Sequence, residues 1–141
     1  MKQIKYFIPA LIWMIFIFME SAMPGDASSS QSHAIVDFLY TLFSIPFQYQ
    51  DMISFIVRKC AHMCEYMILI LLLYYGFQKN KIQHLYLPFL ISLIYACSDE
   101  FHQLFIAGRA GQIQDVMIDS IGILIGFLII MIYQKKSVVK K

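Results

Sequence analysis

The stretch YACSDEFHQLFIAGRAGQIQDVMIDSIG, Tyr95 to Gly122, sets Asp99, Glu100, His102, Gln103, Arg109, Asp115 and Asp119 close together in an otherwise oily chain. Of the 141 residues, 60% are hydrophobic and 14% are charged. Soluble proteins carry about 25% charged residues, so this balance excludes an ordinary soluble domain and points to a small membrane protein. The net charge of +2 matters less than where the charges lie.

The apolar runs of the chain reach spanning length only by absorbing their own polar ends: Glu20, Arg58 to Glu65, and Asp99 to Gln103. Strictly apolar runs from Tyr6 to Met19 and from Leu85 to Cys97 cover roughly 14 and 13 positions, where a span needs about 20. The sequence therefore reads as all-α: a four-transmembrane-helix bundle with spans at about 6–23, 58–77, 85–103 and 112–133. A single domain covers 1–141, with an outer loop over 24–57. A cleaved signal peptide starting at Lys2 and Lys5 competes for the first span, but the bulky run and Pro24 favour a retained helix.

Lysine sets the sidedness. Lys2 and Lys5 precede the first span, Lys79 and Lys81 separate the second and third, and Lys135, Lys136, Lys140 and Lys141 close the chain. With four spans all of these fall on one side, which the positive-inside rule makes the cytoplasm, together with both termini. The acids Glu20, Asp26, Asp37, Asp51, Glu65, Asp99, Glu100, Asp115 and Asp119 then fall in the outer half. In the outer loop PGDASSSQS (Pro24 to Ser32) is turn-rich, and AIVDFLYTLF (Ala34 to Phe43) carries Ile35, Phe38, Leu39, Leu42 and Phe43 at helical spacing. That pattern predicts a short amphipathic helix on the outer face. Cys60, Cys64 and Cys97 have no disulfide spacing and read as small buried hydrophobes.

With each helical residue advancing about 100°, Arg58, Lys59, Glu65 and Tyr66 fall within about 60° of His62. In the third span Tyr95, Asp99, His102 and Gln103 share a face, with Glu100 turned about 100° away. In the fourth, Asp115, Asp119, Gly122 and Gly126 form one stripe, and glycines four apart allow close helix approach. Three polar stripes are thus expected to converge on one outer-leaflet pocket. A lone charge at a helix centre costs about 2.5–3.5 kcal/mol, and Arg58, Lys59 and Arg109 can offset the acids by pairing.

These residues resemble the VanZ family of small bacterial membrane proteins. The likeness rests on RKCAHMCEY (Arg58 to Tyr66), SDEFHQLF (Ser98 to Phe105), AGRAGQIQDVMIDSIGILIG (Ala107 to Gly126) and the early ESAMPGDASS. It implies an integral membrane protein of the cell envelope associated with resistance to glycopeptides of the teicoplanin type. The polar positions matching the family are Lys59, His62, Glu65, Asp99, Glu100, Gln103, Arg109 and Asp115.

Three functional classes stay open. The first is an enzyme acting on a membrane lipid or lipid-linked envelope precursor, with His62, Glu65, Asp99, Glu100 and Asp115 as candidate catalytic groups. Arg58, Lys59, Gln103 and Arg109 would bind its substrate. The second is a non-enzymatic binding protein that masks surface targets. The third is a proton or ion pathway, which the absence of charge from the inner halves of the spans disfavours. No dedicated metal motif is present, although His62, Glu65, Asp99 and His102 are ligand-type residues. No cofactor and no nucleic-acid partner is implied, and no protein partner is indicated.

Overall fold

The run MILILLLYY and the polar turns before it build the longest element, a helix over Gln50–Lys79. The computed structural model describes residues 3–25, 36–38, 41, 47–82 and 84–139. We label its helices α1 (Ile8–Ser21, led by a 3-10 turn at Ile4–Phe7), α2 (Gln50–Lys79), α3 (Tyr86–Gln103) and α4 (Ile113–Val139). Among the described residues there is no strand.

Helix α2 is the central element. Its buried residues Tyr66, Leu69, Ile70 and Leu73 recur every three or four positions and form the core with Ala10, Ile17, Ala96, Ile123 and Ile130. Its most extensive neighbour is α4. There a side chain on Gly122 would run into the main-chain carbonyl of Met63, and one on Gly126 would meet the Ile70 methyl. These two positions let two helices nearly touch backbone to backbone.

Both ends of the bundle are tied by polar groups. Helix α2 stops in a Schellman arrangement: the Ile82 N–H donates to the Phe77 carbonyl at 3.0 Å, and Lys81 N–H to Gln78 at 3.0 Å. Lys81 adopts the left-handed conformation that this cap requires, φ 57°. The Asn80 side chain accepts from the Gln3 N–H at 2.6 Å and donates back to the Gln3 carbonyl at 3.2 Å. Gln134 donates to the Tyr74 hydroxyl at 3.3 Å. The start of α1, the α2–α3 turn and the end of α4 therefore meet at one pole, which carries Lys5, Lys79, Lys81, Lys135 and Lys136. The opposite pole holds the polar stretches of α2, α3 and α4.

Two segments, Ile4–Ser21 and Ile113–Lys136, are long and apolar enough to cross a membrane. Only 17% and 28% of their apolar windows are buried, whereas a soluble core helix of such composition is mostly buried. In α2 and α3 the polar residues clustered at one end dilute the apolar run, so length and composition carry two spans rather than the four expected.

Helix α2 also starts at Gln50, inside the stretch read as outer loop, because Met52 to Val57 is apolar enough to continue the helix. The expected amphipathic helix is described only at residues 36–38 and 41, which are helical, and the rest of Ala34 to Phe43 lies outside the described residues. The cysteines depart from expectation: Cys60, Cys64 and Cys97 are free and exposed. Cys60 and Cys64 face away from the His62 side of α2, which is the side turned inward.

Candidate functional site

At the polar pole a cavity of ≈ 150 Å³ opens between α2, the end of α3 and the start of α4. Helix α2 contributes Phe55, Arg58, Lys59 and His62; α3 contributes Gln103, and α4 contributes Asp115. Arg109 and Ala110 come from the return loop, where Gly108 lies against Gly25. Arg58, Lys59 and His62 fall on one wall because they occupy one turn of one helix face.

Lys59 and Asp115 form an ion pair across the cavity through Nζ and Oδ1, with 23% and 19% of their side chains exposed. Lys59 Nζ also sits 5.2 Å above the Phe55 ring. His62 Nδ1 approaches Glu65 Oε2 to 3.4 Å, within ion-pair range. Neither atom reaches hydrogen-bond geometry, however. The Glu65 carbonyl accepts from Trp13 Nε1 at 2.9 Å, fixing this turn of α2 against α1.

Behind the wall the acids are held by amides. Gln103 Nε2 donates to Asp99 Oδ2 and to Glu100 Oε1, both at 3.1 Å, using both hydrogens of one amide nitrogen. All three residues are buried. Glu100 Oε2 accepts from the Gln112 N–H at 3.0 Å, so its carboxylate lies at the N-terminal end of α4, where orphan amides and the helix dipole favour negative charge.

The return loop is clamped by Arg109. Its Nε donates to the Met23 carbonyl at 3.0 Å, Nη2 to the Glu20 carbonyl at 3.0 Å, and Nη1 to Gln103 Oε1 at 3.4 Å. Burial pulls the Arg109 guanidinium below its ordinary value, opposed by the field of Asp99.

The candidate residues thus divide. Arg58, Lys59, His62, Gln103, Arg109 and Asp115 line the cavity, whereas Glu65, Asp99 and Glu100 are not on its wall. Glu100 is not turned away as the helical wheel implied, because the return loop folds back to cover it. His102 departs from the shared face: its ring stacks on Phe18 at 4.6 Å. Among the described residues no group of three His, Cys, Asp or Glu side chains is placed to hold a metal ion, so the ligand-type set His62, Glu65, Asp99 and His102 is not gathered. Asp119, on the stripe with Asp115, Gly122 and Gly126, is 2% exposed with Oδ2 lacking a hydrogen-bond partner, and it does not line the cavity.

Gln103→Leu is expected to remove the shared amide donor from two buried carboxylates, leaving Glu100 only the Gln112 N–H, and to lower stability by about 2–4 kcal/mol. The unfolding midpoint of detergent-purified protein checks this, with Gln103→Glu at least as damaging because it adds a third carboxylate.

No curated protein and no solved structure matches the chain. The VanZ/LLP1 family profile matches residues 6–134, a span that takes in all four helices' apolar runs and every residue of the cavity. By that match over nearly its whole length, the chain belongs to the VanZ/LLP1 family.

Proposed function

We propose that this protein crosses the envelope membrane four times, with both termini in the cytoplasm and the cavity opening outward. In this reading the cavity acts on the headgroup of a lipid-linked or cell-wall precursor, and the outcome is altered susceptibility to glycopeptides of the teicoplanin type.

One observation carries the proposal: cations and a histidine share a small cavity at the pole opposite the lysine-rich ends, on helices whose outer faces are apolar. Ile12, Met19, Ile94 and Met117 each stand more than half exposed, which suits acyl chains and not water. Within the cavity Lys59 and Arg58 supply the charge that holds an anionic group. His62 is the titratable side chain placed to exchange a proton with it, and Glu65 sits behind the imidazole as its orienting partner. Asp99 and Glu100, candidate catalytic groups by sequence, act here through Gln103, holding α3 and the return loop in register.

The committed hydrogen bonds of those carboxylates and the Lys59–Asp115 pair favour a second reading, a binding protein that masks its target without chemistry. Glu65→Gln separates the two. It keeps the shape and should abolish turnover of a precursor, while leaving a mask intact.

The test of the first reading is a teicoplanin susceptibility assay in a heterologous bacterial host, with membrane abundance measured in parallel. His62→Ala and Lys59→Ala, present at wild-type abundance, are expected to return susceptibility to that of the empty vector. Wild-type protection by both variants overturns the proposal.

A further inference from the structure

We infer that the lysine-bearing pole holds an anionic phospholipid, its phosphodiester seated between Lys5 and Lys79 against a pair of tyrosine rings. This site lies at the far end of the bundle from the cavity and needs nothing of the chemistry proposed there.

Both ammonium groups are placed by aromatic rings. Lys5 Nζ stands 5.3 Å over the Tyr6 ring and Lys79 Nζ 5.6 Å over the Tyr75 ring. The two rings meet edge to face with centroids 6.4 Å apart, so the turn leading α1 and the end of α2 each set a lysine beside one aromatic pair. The frame beneath them is fixed. Gln3 and Asn80 exchange two hydrogen bonds, at 2.6 and 3.2 Å, and Asn80 also donates to the Gly76 carbonyl at 2.9 Å. A side chain on Gly76 would strike the Phe7 ring, which packs edge to face on Phe77 at 5.1 Å.

Charge then calls for a partner from outside the chain. Lys59 shows the alternative: it too lies over an aromatic ring, Phe55, but it is paired with Asp115. Lys5 and Lys79 have the ring and, among the described residues, no carboxylate within ion-pair distance. Lys81, Lys135 and Lys136 share their pole, whereas the described acids gather toward the other. A ring engages an ammonium from one side only, which leaves N–H donors for the oxygens of an anion.

The surroundings make that anion a lipid. Tyr6 leads into α1, Tyr75 lies near the end of α2, Tyr86 begins α3 and Tyr133 lies near the end of α4. Tyrosines gathered in this way sit at headgroup level in a membrane. Ile4, beside Lys5, and Ile8, one turn on, are exposed apolar side chains that suit the acyl chains below a headgroup. Lysines at that depth attract anionic lipid. Phosphatidylglycerol answers this charge, whereas phosphatidylcholine brings a cation of its own that the lysines repel.

Full-length protein in mild detergent is titrated with each of these two lipids, and the bound lipids are counted by native mass spectrometry. Wild type is expected to hold phosphatidylglycerol about tenfold more tightly than phosphatidylcholine. Lys5→Gln combined with Lys79→Gln should reduce that preference to about twofold or less. Lys135→Gln combined with Lys136→Gln removes the same charge from the same pole and should keep most of it. Equal retention of the two lipids by wild type, or equal losses in the two double variants, overturns the inference. Glycerophosphoglycerol, the same headgroup without acyl chains, should fail to displace the bound lipid; displacement would give the site to a soluble anion and also overturn it. The unfolding midpoint without added lipid shows whether the Lys5 and Lys79 double variant is folded. If it is not, Lys79→Gln alone, which leaves the turn before α1 untouched, should lose about threefold, and an unchanged preference there overturns the inference.

Discussion

Gly122→Ala is expected to cost the fold at least about 3 kcal/mol, the upper end of what overpacking does, and to leave little protein in the membrane. The added methyl points into the main-chain carbonyl of Met63, an atom held in the hydrogen-bond ladder of α2. Backbone cannot turn aside as a side chain does, so α2 and α4 must separate, and with them the seam of Tyr66, Ile70, Ile123 and Ile130. Helix propensity alone favours alanine over glycine by about 1 kcal/mol, so the sign of the effect is itself diagnostic. Gly126→Ala is the internal control. Its methyl meets the Ile70 side chain first, which can change rotamer, and a loss of about 1–2 kcal/mol is expected. Membrane abundance and the thermal midpoint of detergent-extracted protein measure both. Equal tolerance of the two variants would contradict the close approach of these helices.

Arg109→Ala carries the second large effect. The guanidinium joins three segments at one point: the end of α1 through the carbonyls of Glu20 and Met23, α3 through Gln103, and the return loop that bears it. Its removal takes a donor from each of those acceptors and withdraws a cation from the field of Asp99 and Glu100, and a loss of about 3 kcal/mol is expected. Arg109→Lys keeps the charge but not the fork. A single ammonium cannot reach three acceptors spread around a plane, so less than half of the stability should return. Full rescue by lysine would mean that Arg109 acts as a point charge and not as a fork.

Much of this arrangement was legible in the residues. A helix too short without its polar end has to draw that end into the structure, and this reasoning brought Arg58 to Glu65 and Asp99 to Gln103 to one pole. The stripe of Asp115, Asp119, Gly122 and Gly126 marked the face of α4 that meets α2, because period and residue size say which side packs. What stayed hidden depends on contacts beyond any single helix. A helical wheel cannot foresee that residues 104–112 fold back and bury Glu100 beneath Gln112. Nor does it show that Phe18 draws His102 off the shared face, or that backbone carbonyls of α1 claim Arg109. The early start of α2 at Gln50 was missed because Gln50 and Asp51 look like loop, although they stand in the first turn where polar residues are tolerated.

The central claim is that the polar side chains of three helices meet in one cavity that faces the exterior. In a variant lacking Cys60, Cys64 and Cys97, single cysteines at Ala110 on the cavity rim and at Gln78 on the lysine-bearing pole can be treated with a membrane-impermeant thiol reagent on intact cells. The account predicts rapid labelling of Ala110→Cys and labelling of Gln78→Cys only after permeabilisation. The reverse pattern, or both positions reacting from the same side, would contradict it.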